Sequence, residues 1–240
     1  MVDKTEKEAE TSPGLRGFDV IDKIKGKLEE ACRRVVSCAD ILAFVARDAV
    51  LLHVPTGRLD ERISRADGTK DLPPPNSDIA ELKAAFAEKN LTTKDSSSCA
   101  HTIGSSRCQS FRDRLNSSTA GGQKLNAAAE LDPAYLNDLR SKCAANPGTM
   151  VEMSPKCATR FDTGYYSDLL HRRGLFRSDS VLLADGVTRT YVQKHATGGL
   201  DMEMEFFANF GEAMVNMGNI QPATTEGELR RKCSVVDYYK

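Results

Sequence analysis

The sequence predicts an all-α fold in which helices are joined by long loops. Its apolar residues recur at steps of three and four instead of alternating, and capping residues precede several apolar stretches. The segments DLPPPNSD and NSSTAGGQKLNAAAE have turn and loop compositions, and no internal repeat is present. We therefore expect one helical domain over 15–236, a charged and disordered N-terminus over 1–14 and a C-terminal tail over 237–240.

Two helices are predicted in the first quarter of the chain. In GFDVIDKIKGKLEEA the apolar residues share one helix face: Phe18, Ile21, Ile24 and Leu28. In SCADILAFVARDAVLL, Ser37 and Asp40 form a capping-box pattern ahead of an almost wholly apolar stretch. We expect this second helix to be the central core element.

A third helix is predicted at IAELKAAFAEKN. Asp78 and Glu81 repeat the capping-box pattern before it, and Asn90 can end it. Its apolar side chains point one way: Ile79, Leu82 and Phe86.

Three further helices follow. Asp132 and Pro133 supply an N-cap and a first-turn proline for AYLNDLRSKC, and Asp162 caps TGYYSDLLHRR, which we expect to stop at Gly174. The last helix, EFFANFGEAMVNMG, closes at Gly218. It aligns a stripe of large side chains: Phe206, Phe210, Met214 and Met217. Such a stripe can form a cofactor wall, but the helical spacing favours core packing.

Composition excludes two classes of partner. With 33 Lys and Arg against 34 Asp and Glu, the formal net charge is −1 and no basic patch indicates nucleic acid or an anionic membrane. The longest apolar segment, ILAFVARDAVLLHV, contains Arg47 and Asp48 and is shorter than the roughly 18 to 20 apolar residues of a membrane span. The N-terminus MVDKTEKEAETSPG has no apolar region typical of a secretory signal.

Cysteine usage points to an oxidising compartment. The chain has seven cysteines: Cys32, Cys38, Cys99, Cys108, Cys143, Cys157 and Cys233. Cytosolic chains seldom carry so many widely spaced thiols, so this usage favours secretory ancestry. Because the number is odd, at least one cysteine lacks an internal partner.

Five segments together resemble one known family. VVSCADILAFVARDAV, AHTIGSSRC, RFDTGYYSDLL, GLFRSDSVLLADG and FGEAMVNMGNI occur in the order found in plant secretory (class III) haem peroxidases, from about Leu15 to Val236. The resemblance implies a haem peroxidase fold, here lacking its N-terminal distal helices, with one haem b. It also implies a monomer that removes hydrogen peroxide under oxidative stress by oxidising small phenolic donors, located outside the cell or in the vacuole.

The resemblance also implies roles for four residues. His101 of AHTIG is the axial ligand of the haem iron, and Asp185 of LLADG accepts a hydrogen bond from the other ring nitrogen, which fixes the tautomer and raises the basicity of the ligand. Arg107 is placed to bind a haem propionate, although a solvated surface arginine is an equal alternative. Pro73 matches a proline that lines the aromatic-substrate access, although a proline-rich run is by default a loop.

Disulfide pairing follows from the same resemblance. It implies the bonds Cys38 with Cys233 and Cys108 with Cys143, each of which closes a long loop and restricts the unfolded chain. Cys32 matches a cysteine whose partner belongs to a segment that this sequence does not contain, so we expect it to be unpaired.

The family's proximal calcium site is only partly matched. Thr102 and Asp162 correspond to its oxygen ligands, whereas Ser154 replaces a carboxylate and Cys157 replaces a threonine. A hard cation prefers oxygen donors, so these changes are expected to lower calcium affinity.

The reactive motif of the family, R-x-x-F-H-D-C, does not occur in these 240 residues. The histidine of that motif moves a proton between the peroxide oxygens and its arginine stabilises the developing charge, so we expect impaired turnover. The family builds its distal calcium site in the same segment, so we expect that site to be missing as well. In addition, SSSC replaces an apolar segment before AHTIG, which predicts hydroxyls near the haem position. The alternative is a non-catalytic truncated paralogue, splice product or gene-model fragment with a structural or interaction role.

A third interpretation is a small zinc site. Cys99, His101 and Cys108 have the spacing C-x-H-x6-C, which fits no zinc motif with a stated mechanism, and a tetrahedral site needs a fourth ligand that the sequence does not suggest.

Overall fold

The computed structural model describes residues 4–9, 12, 14–50, 54–98, 101–116, 130–155, 159–220 and 226–237, the side chains of 48–50 excepted. These residues are predominantly helical and confirm the all-α prediction. The helices are α1 (Phe18–Ala31), α2 (Cys38–Val50), α3 (Ile79–Glu88), α4 (Thr93–Ser97), α5 (Arg112–Asn116), α6 (Pro133–Cys143), α7 (Gly164–Leu170), α8 (Arg177–Ser180), α9 (Gly186–Thr197) and α10 (Gly199–Gly218).

The chain divides into two compact units. The first comprises Met1–Asp71 and Met214–Lys240, and the second comprises Leu72–Ala213. Each unit takes residues from the predicted domain 15–236, whose assignment as one domain stays a prediction.

The first unit is organised around the beginning of α2. The backbone amides of Cys38 and Ala39 donate to the buried carboxylate of Asp60 at 3.1 and 2.8 Å, and that of Arg230 donates to it at 3.0 Å. A disulfide joins Cys38 to Cys233, as predicted, with a Cα–Cα distance of 5.5 Å. One carboxylate and one disulfide thus bind the C-terminal segment to the start of the helix.

The expectation that α2 is the central core element is wrong. Ile41 is buried, but Leu42 and Val45 are 55% and 44% exposed. The helix that packs most closely on α2 is α1, so α2 buries one side and leaves apolar side chains of the other side open in the described part of the unit.

The disorder expected over 1–14 stays a prediction; of that segment the structure describes residues 4–9, 12 and 14. Glu6–Glu8 form a short 3-10 turn with a capping box between Thr5 and Glu8. The Ser64 hydroxyl donates to the Glu6 carboxylate at 3.0 Å, which fixes the turn.

In the second unit, strong capping residues locate the helices well. Asp78 caps α3 through the amides of Ala80 and Glu81, and Asp132 caps α6 through that of Tyr135, as predicted. The helix predicted to reach Gly174 ends earlier, at Leu170, because the chain turns sharply where Arg172 adopts a positive φ of 57°. The helix α9 was not predicted, and α10 begins six residues before the predicted EFFANF stretch.

The core of this unit gathers around the second predicted disulfide. Cys108 and Cys143 are bonded with a Cα–Cα distance of 5.7 Å, and Cys108 is almost fully buried. The buried residues of this core are Cys108, Phe111, Leu115, Leu131, Tyr135, Leu139, Val151, Met153 and Leu175. The bond therefore joins α6 to the chain that follows His101.

A small sheet interrupts the helical fold. Strand β1 (Ser105–Arg107) pairs antiparallel with β2 (Met150–Glu152), with Ser105 opposite Glu152 and Arg107 opposite Met150. Its strands are too short for a periodic pattern, so the sequence did not indicate them.

The role of Asp60 can be tested by replacing it with alanine. Asp60→Ala removes the acceptor of three backbone amides, and hydrogen bonds to a charged group contribute about 1.5–3 kcal/mol each. Because three such bonds are lost, we expect the free energy of unfolding in urea to fall by about 3 kcal/mol or more. Asp19→Ala, at a carboxylate that is 73% exposed and pairs with Lys23, is the control and should leave the unfolding midpoint almost unchanged.

Candidate functional site

The site is built around His101, which lies between a short helix and the first strand. Thr92 caps α4 by accepting from the amide of Asp95, and His101 follows in a turn that leads into β1. Gly104 closes this turn with φ of +91°, a conformation that glycine adopts without strain. Residues 101–104 of the AHTIG motif therefore form a turn that leads into β1.

The hydroxyls of the serines before His101 donate to backbone carbonyls of the preceding helical turn. Ser96 and Ser97 donate to the carbonyl of Thr93 at 2.9 and 2.8 Å, and Ser98 donates to that of Lys94 at 3.0 Å. Hydroxyls that bond to a preceding turn do not incur the cost of buried, unpaired polar groups. The expected penalty for hydroxyls in SSSC is thus avoided; Cys99 itself lies outside the described residues.

His101 is held by one carboxylate and two aromatic rings. Its Nδ1 lies 2.9 Å from Oδ2 of Asp179, on α8, and the Asp179 side chain is only 8% exposed. The rings of Phe176 and Tyr165 meet the imidazole edge to face, with centroid distances of 5.2 and 5.9 Å. Tyr165 also donates its hydroxyl to Oδ2 of Asp179 at 2.7 Å.

The outward side of the imidazole is available. The His101 side chain is 37% exposed, and its hydrogen bond to the described residues is made through Nδ1. With Nδ1–H donating to the carboxylate, Nε2 carries the lone pair and can bind a metal.

The carboxylate also changes the proton affinity of His101. Burial lowers the pKa of His101, but the charge of Asp179 and the hydrogen bond to it outweigh burial, so the pKa lies above its ordinary value. A more basic imidazole is a better donor to an oxidised metal.

The prediction that Asp185 is the partner of His101 is wrong. Asp185 is the N-cap of α9: its Oδ1 accepts from the amides of Val187 and Thr188 at 3.0 and 3.2 Å. Its Oδ2 pairs with Lys83 Nζ at 2.7 Å. The Lys83 hydrogen bond, followed by that of the Thr188 amide, holds the pKa of Asp185 below its ordinary value. The partner is Asp179, six residues earlier in the same motif.

The two other residues assigned to the haem pocket remain predictions. Arg107 is half-buried and lies on β1, not on a helix after His101. Pro73 is half-buried in the proline-rich loop. That loop is tied to the start of α8 because the amide of Ser178 donates to the carbonyl of Pro75 at 3.0 Å, next to Asp179.

Thr102, Ser154 and Asp162, the predicted calcium ligands that the structure describes, do not form a cation site. The Thr102 hydroxyl donates to Asp162 at 2.8 Å, and the Asp162 carboxylate is also paired with Arg160 at 3.0 Å. Ser154 instead donates to Asp168 at 2.6 Å, and Cys157 lies outside the described residues. Among those residues no group of three His, Cys, Asp or Glu side chains could hold a metal ion. A carboxylate that is neutralised by a guanidinium is a poor ligand for a hard cation, so these residues do not fit calcium.

The zinc interpretation is contradicted by the disulfide. Cys108 is bonded to Cys143 and has no thiolate to offer. Cys32 is free and exposed, as expected.

Besides Asp179, three further contributors to the site were not indicated by the sequence. Tyr165 and Phe176 contact His101, and Arg114 holds the loop that carries Phe176. The motifs RFDTGYYSDLL and GLFRSDS contain two of them, but nothing in their spacing shows that they meet His101.

Comparison with known proteins identifies the family. The sequence model of the family described as Peroxidase matches residues 1–198, and the chain belongs to this family. Among its relatives, Peroxidase 1 of Oryza sativa subsp. japonica is 46% identical over 97% of this chain and 74% of its own length. Peroxidase 3 of Arabidopsis thaliana is 42% identical over 97% of this chain and 73% of its own length. Peroxidase 5 of Vitis vinifera is 41% identical, with coverages of 94% and 70%.

These relatives confirm the resemblance to plant class III haem peroxidases. The chain is therefore a haem peroxidase family member, of the class of oxidoreductases that use hydrogen peroxide. Within the described residues, no helix combines the length and apolarity that crossing a membrane requires.

The raised pKa of His101 predicts a pH-dependent stability. The folded chain binds this proton more tightly than the unfolded chain, so the stabilisation is complete below about pH 6.5 and is lost as the pH rises through the higher folded pKa. Without added haem, the difference in free energy of unfolding between wild type and His101→Gln should be larger at about pH 5.5 than at about pH 9. His171→Gln, at an exposed histidine, is the control. An equal difference at both pH values for His101→Gln would contradict the assignment.

Proposed function

We propose that this chain binds one haem b through Nε2 of His101, with Asp179 as the carboxylate behind the ligand. The geometry fits the cofactor: one ring nitrogen of His101 is bonded to a buried carboxylate, and the other side of the ring is open. The observation that carries the proposal is the 2.9 Å contact between His101 and Asp179, because this contact defines the tautomer that a metal needs.

Haem, when bound, supplies the iron at which hydrogen peroxide is reduced. The residues of the chain orient and tune the ligand. In the neutral ring, Asp179 holds the proton on Nδ1 and leaves the lone pair on Nε2, and its charge raises the basicity of the ring. Phe176 and Tyr165 limit rotation of the imidazole by packing on it from two sides.

The proposed substrates are hydrogen peroxide and small phenolic donors, with Pro73 at the access to the site. Supporting this, the proline-rich loop is bonded to the residue that precedes Asp179. We further propose an extracellular or vacuolar location, since the two disulfides suit an oxidising compartment.

Turnover by the 240-residue chain is proposed to be slow. The chain contains no R-x-x-F-H-D-C motif, so no histidine and arginine pair of that kind can move the peroxide proton or stabilise the charge that develops as the O–O bond breaks. General acid-base help contributes about 10² to 10⁴ in rate, and a preorganised charge stabiliser about 10² to 10³.

Haem binding can be tested by titrating the purified chain with haem and recording the absorption spectrum. Wild type should develop a Soret band, and His101→Ala should lose the axial ligand and bind far more weakly. His171→Ala is the matched control, because the His171 ring is exposed and its hydrogen bond within the described residues goes to the carbonyl of Ser167, one turn earlier. If His101→Ala and wild type bind haem equally, the assignment of the ligand fails.

The identity of the supporting carboxylate is tested separately. Asp179→Asn should weaken haem retention by about 10- to 100-fold, the usual effect of losing a carboxylate behind a metal ligand. Asp185→Asn should leave haem retention unchanged, since asparagine also caps helices well. The reverse ranking of these two variants would restore Asp185 to the site.

Activity is tested with guaiacol and hydrogen peroxide on the haem-loaded chain. We expect turnover on the order of 10⁴-fold or more below that of a relative that contains R-x-x-F-H-D-C, from the combined loss of both effects. Rapid turnover would disprove the expected impairment, and absence of any Soret band would favour a non-catalytic interaction protein.

A further inference from the structure

A single oxygen atom links His101 to a second donor. Oδ2 of Asp179 lies 2.9 Å from Nδ1 of His101 and 2.7 Å from the hydroxyl of Tyr165. An ionised carboxylate can only accept, so the tyrosine hydroxyl must donate to this oxygen. Tyr165 is 1% exposed and Asp179 is nearly as buried, and both hydrogen bonds therefore form where water does not weaken them.

We propose that Tyr165 is a positioning residue that sets how strongly Asp179 acts on the haem ligand. This inference rests on the proposed binding of haem by His101. By donating to Oδ2, Tyr165 takes up part of the negative charge that the carboxylate would otherwise direct at the Nδ1–H of His101. The imidazole is therefore a weaker electron donor than it would be with Asp179 alone.

The hydroxyl of Tyr165 is fixed in place by the chain around it. A Cβ atom at Gly174 would lie 3.4 Å from this hydroxyl and only 2.4 Å from the Leu169 side chain, so any larger residue there would have to displace Leu169. The guanidinium of Arg114 donates to the carbonyls of Gly174, Leu175 and Phe176 and holds this loop.

Arg114 also adds a buried positive charge near the carboxylate. It is 3% exposed, and burial lowers its pKa, while the neighbouring Tyr165 and Asp179 act in the opposite direction. The Tyr165 hydroxyl and the Asp179 carboxylate are thus both buried, and the hydroxyl donates to the same oxygen that accepts from His101. A rotation of Tyr165 would break a charge-assisted hydrogen bond, so its geometry is well determined.

The neighbouring tyrosine offers a matched control. Tyr165 and Tyr166 are consecutive on α7 and each is 1% exposed. The Tyr166 hydroxyl donates to the carbonyl of Ser97 at 2.8 Å and not to Asp179. Replacing either tyrosine by phenylalanine removes one buried hydroxyl of equal size, but only Tyr165→Phe changes the charge available to His101.

The decisive measurement is the iron–histidine stretching frequency of the reduced, haem-loaded chain by resonance Raman spectroscopy, together with the midpoint potential of the iron. Tyr165→Phe should raise the frequency and make the potential more negative, because the carboxylate then acts on His101 alone. Tyr166→Phe should leave both unchanged. Equal shifts in the two variants, or none in Tyr165→Phe, would overturn the proposal.

Two further measurements keep the test decisive. If Tyr165→Phe fails to fold, Tyr165 can be replaced site-specifically by 3-fluorotyrosine, which keeps the hydroxyl and makes it a stronger donor. The iron–histidine stretching frequency should then move downward. In the chain without haem, the NMR signal of the His101 Nδ1 proton should move downfield in Tyr165→Phe and stay in place in Tyr166→Phe. This signal tests the shared oxygen even if wild type forms no Soret band, an outcome that would defeat the proposed haem binding instead.

Discussion

The proposed site depends on one buried carboxylate oxygen, Oδ2 of Asp179. Burying a charge is costly unless donors compensate it, and here the imidazole of His101 and the hydroxyl of Tyr165 do so. The arrangement requires three chain segments to meet: the turn after α4, the start of α7, and α8. Phe176 contacts the ring of His101 edge to face, and Arg114 donates to the carbonyl of Phe176. Both contacts hold the loop between α7 and α8 beside the ring.

The elements that surround this oxygen are fixed covalently as well as by packing. The disulfide between Cys108 and Cys143 closes a loop of 35 residues in sequence and lies in the same core as Leu175. Strand β1 begins at Ser105, soon after the turn that contains His101, and pairs with β2. A strand pair and a disulfide therefore follow the turn that holds the proposed ligand, which must keep one ring orientation.

Sequence reasoning succeeded where the physical cause is local. Asp78 and Asp132 cap α3 and α6 because a side chain three residues away satisfies amides of the first turn. The family resemblance supplied both disulfides. It also assigned His101 as the haem ligand, which stays a prediction. The same reasoning failed at Asp185. No sequence pattern distinguishes an aspartate that caps a helix from one that bonds to a histidine, and Asp185 is the residue that caps α9. The sequence also predicted too much burial for α2. An apolar helix can be buried, but its sequence does not show which elements pack against it.

The sequence by itself determined the all-α class, the ends of the well-capped helices and the peroxidase family. These depend on neighbouring residues or on motifs kept in order along the chain. Only the tertiary structure decided which carboxylate supports His101, because Asp179 lies 78 residues away in sequence and reaches the ring through the packing of α8. It likewise decided that Tyr165 shares the carboxylate oxygen, since a hydrogen bond of 2.7 Å depends on atomic positions that residue spacing does not encode.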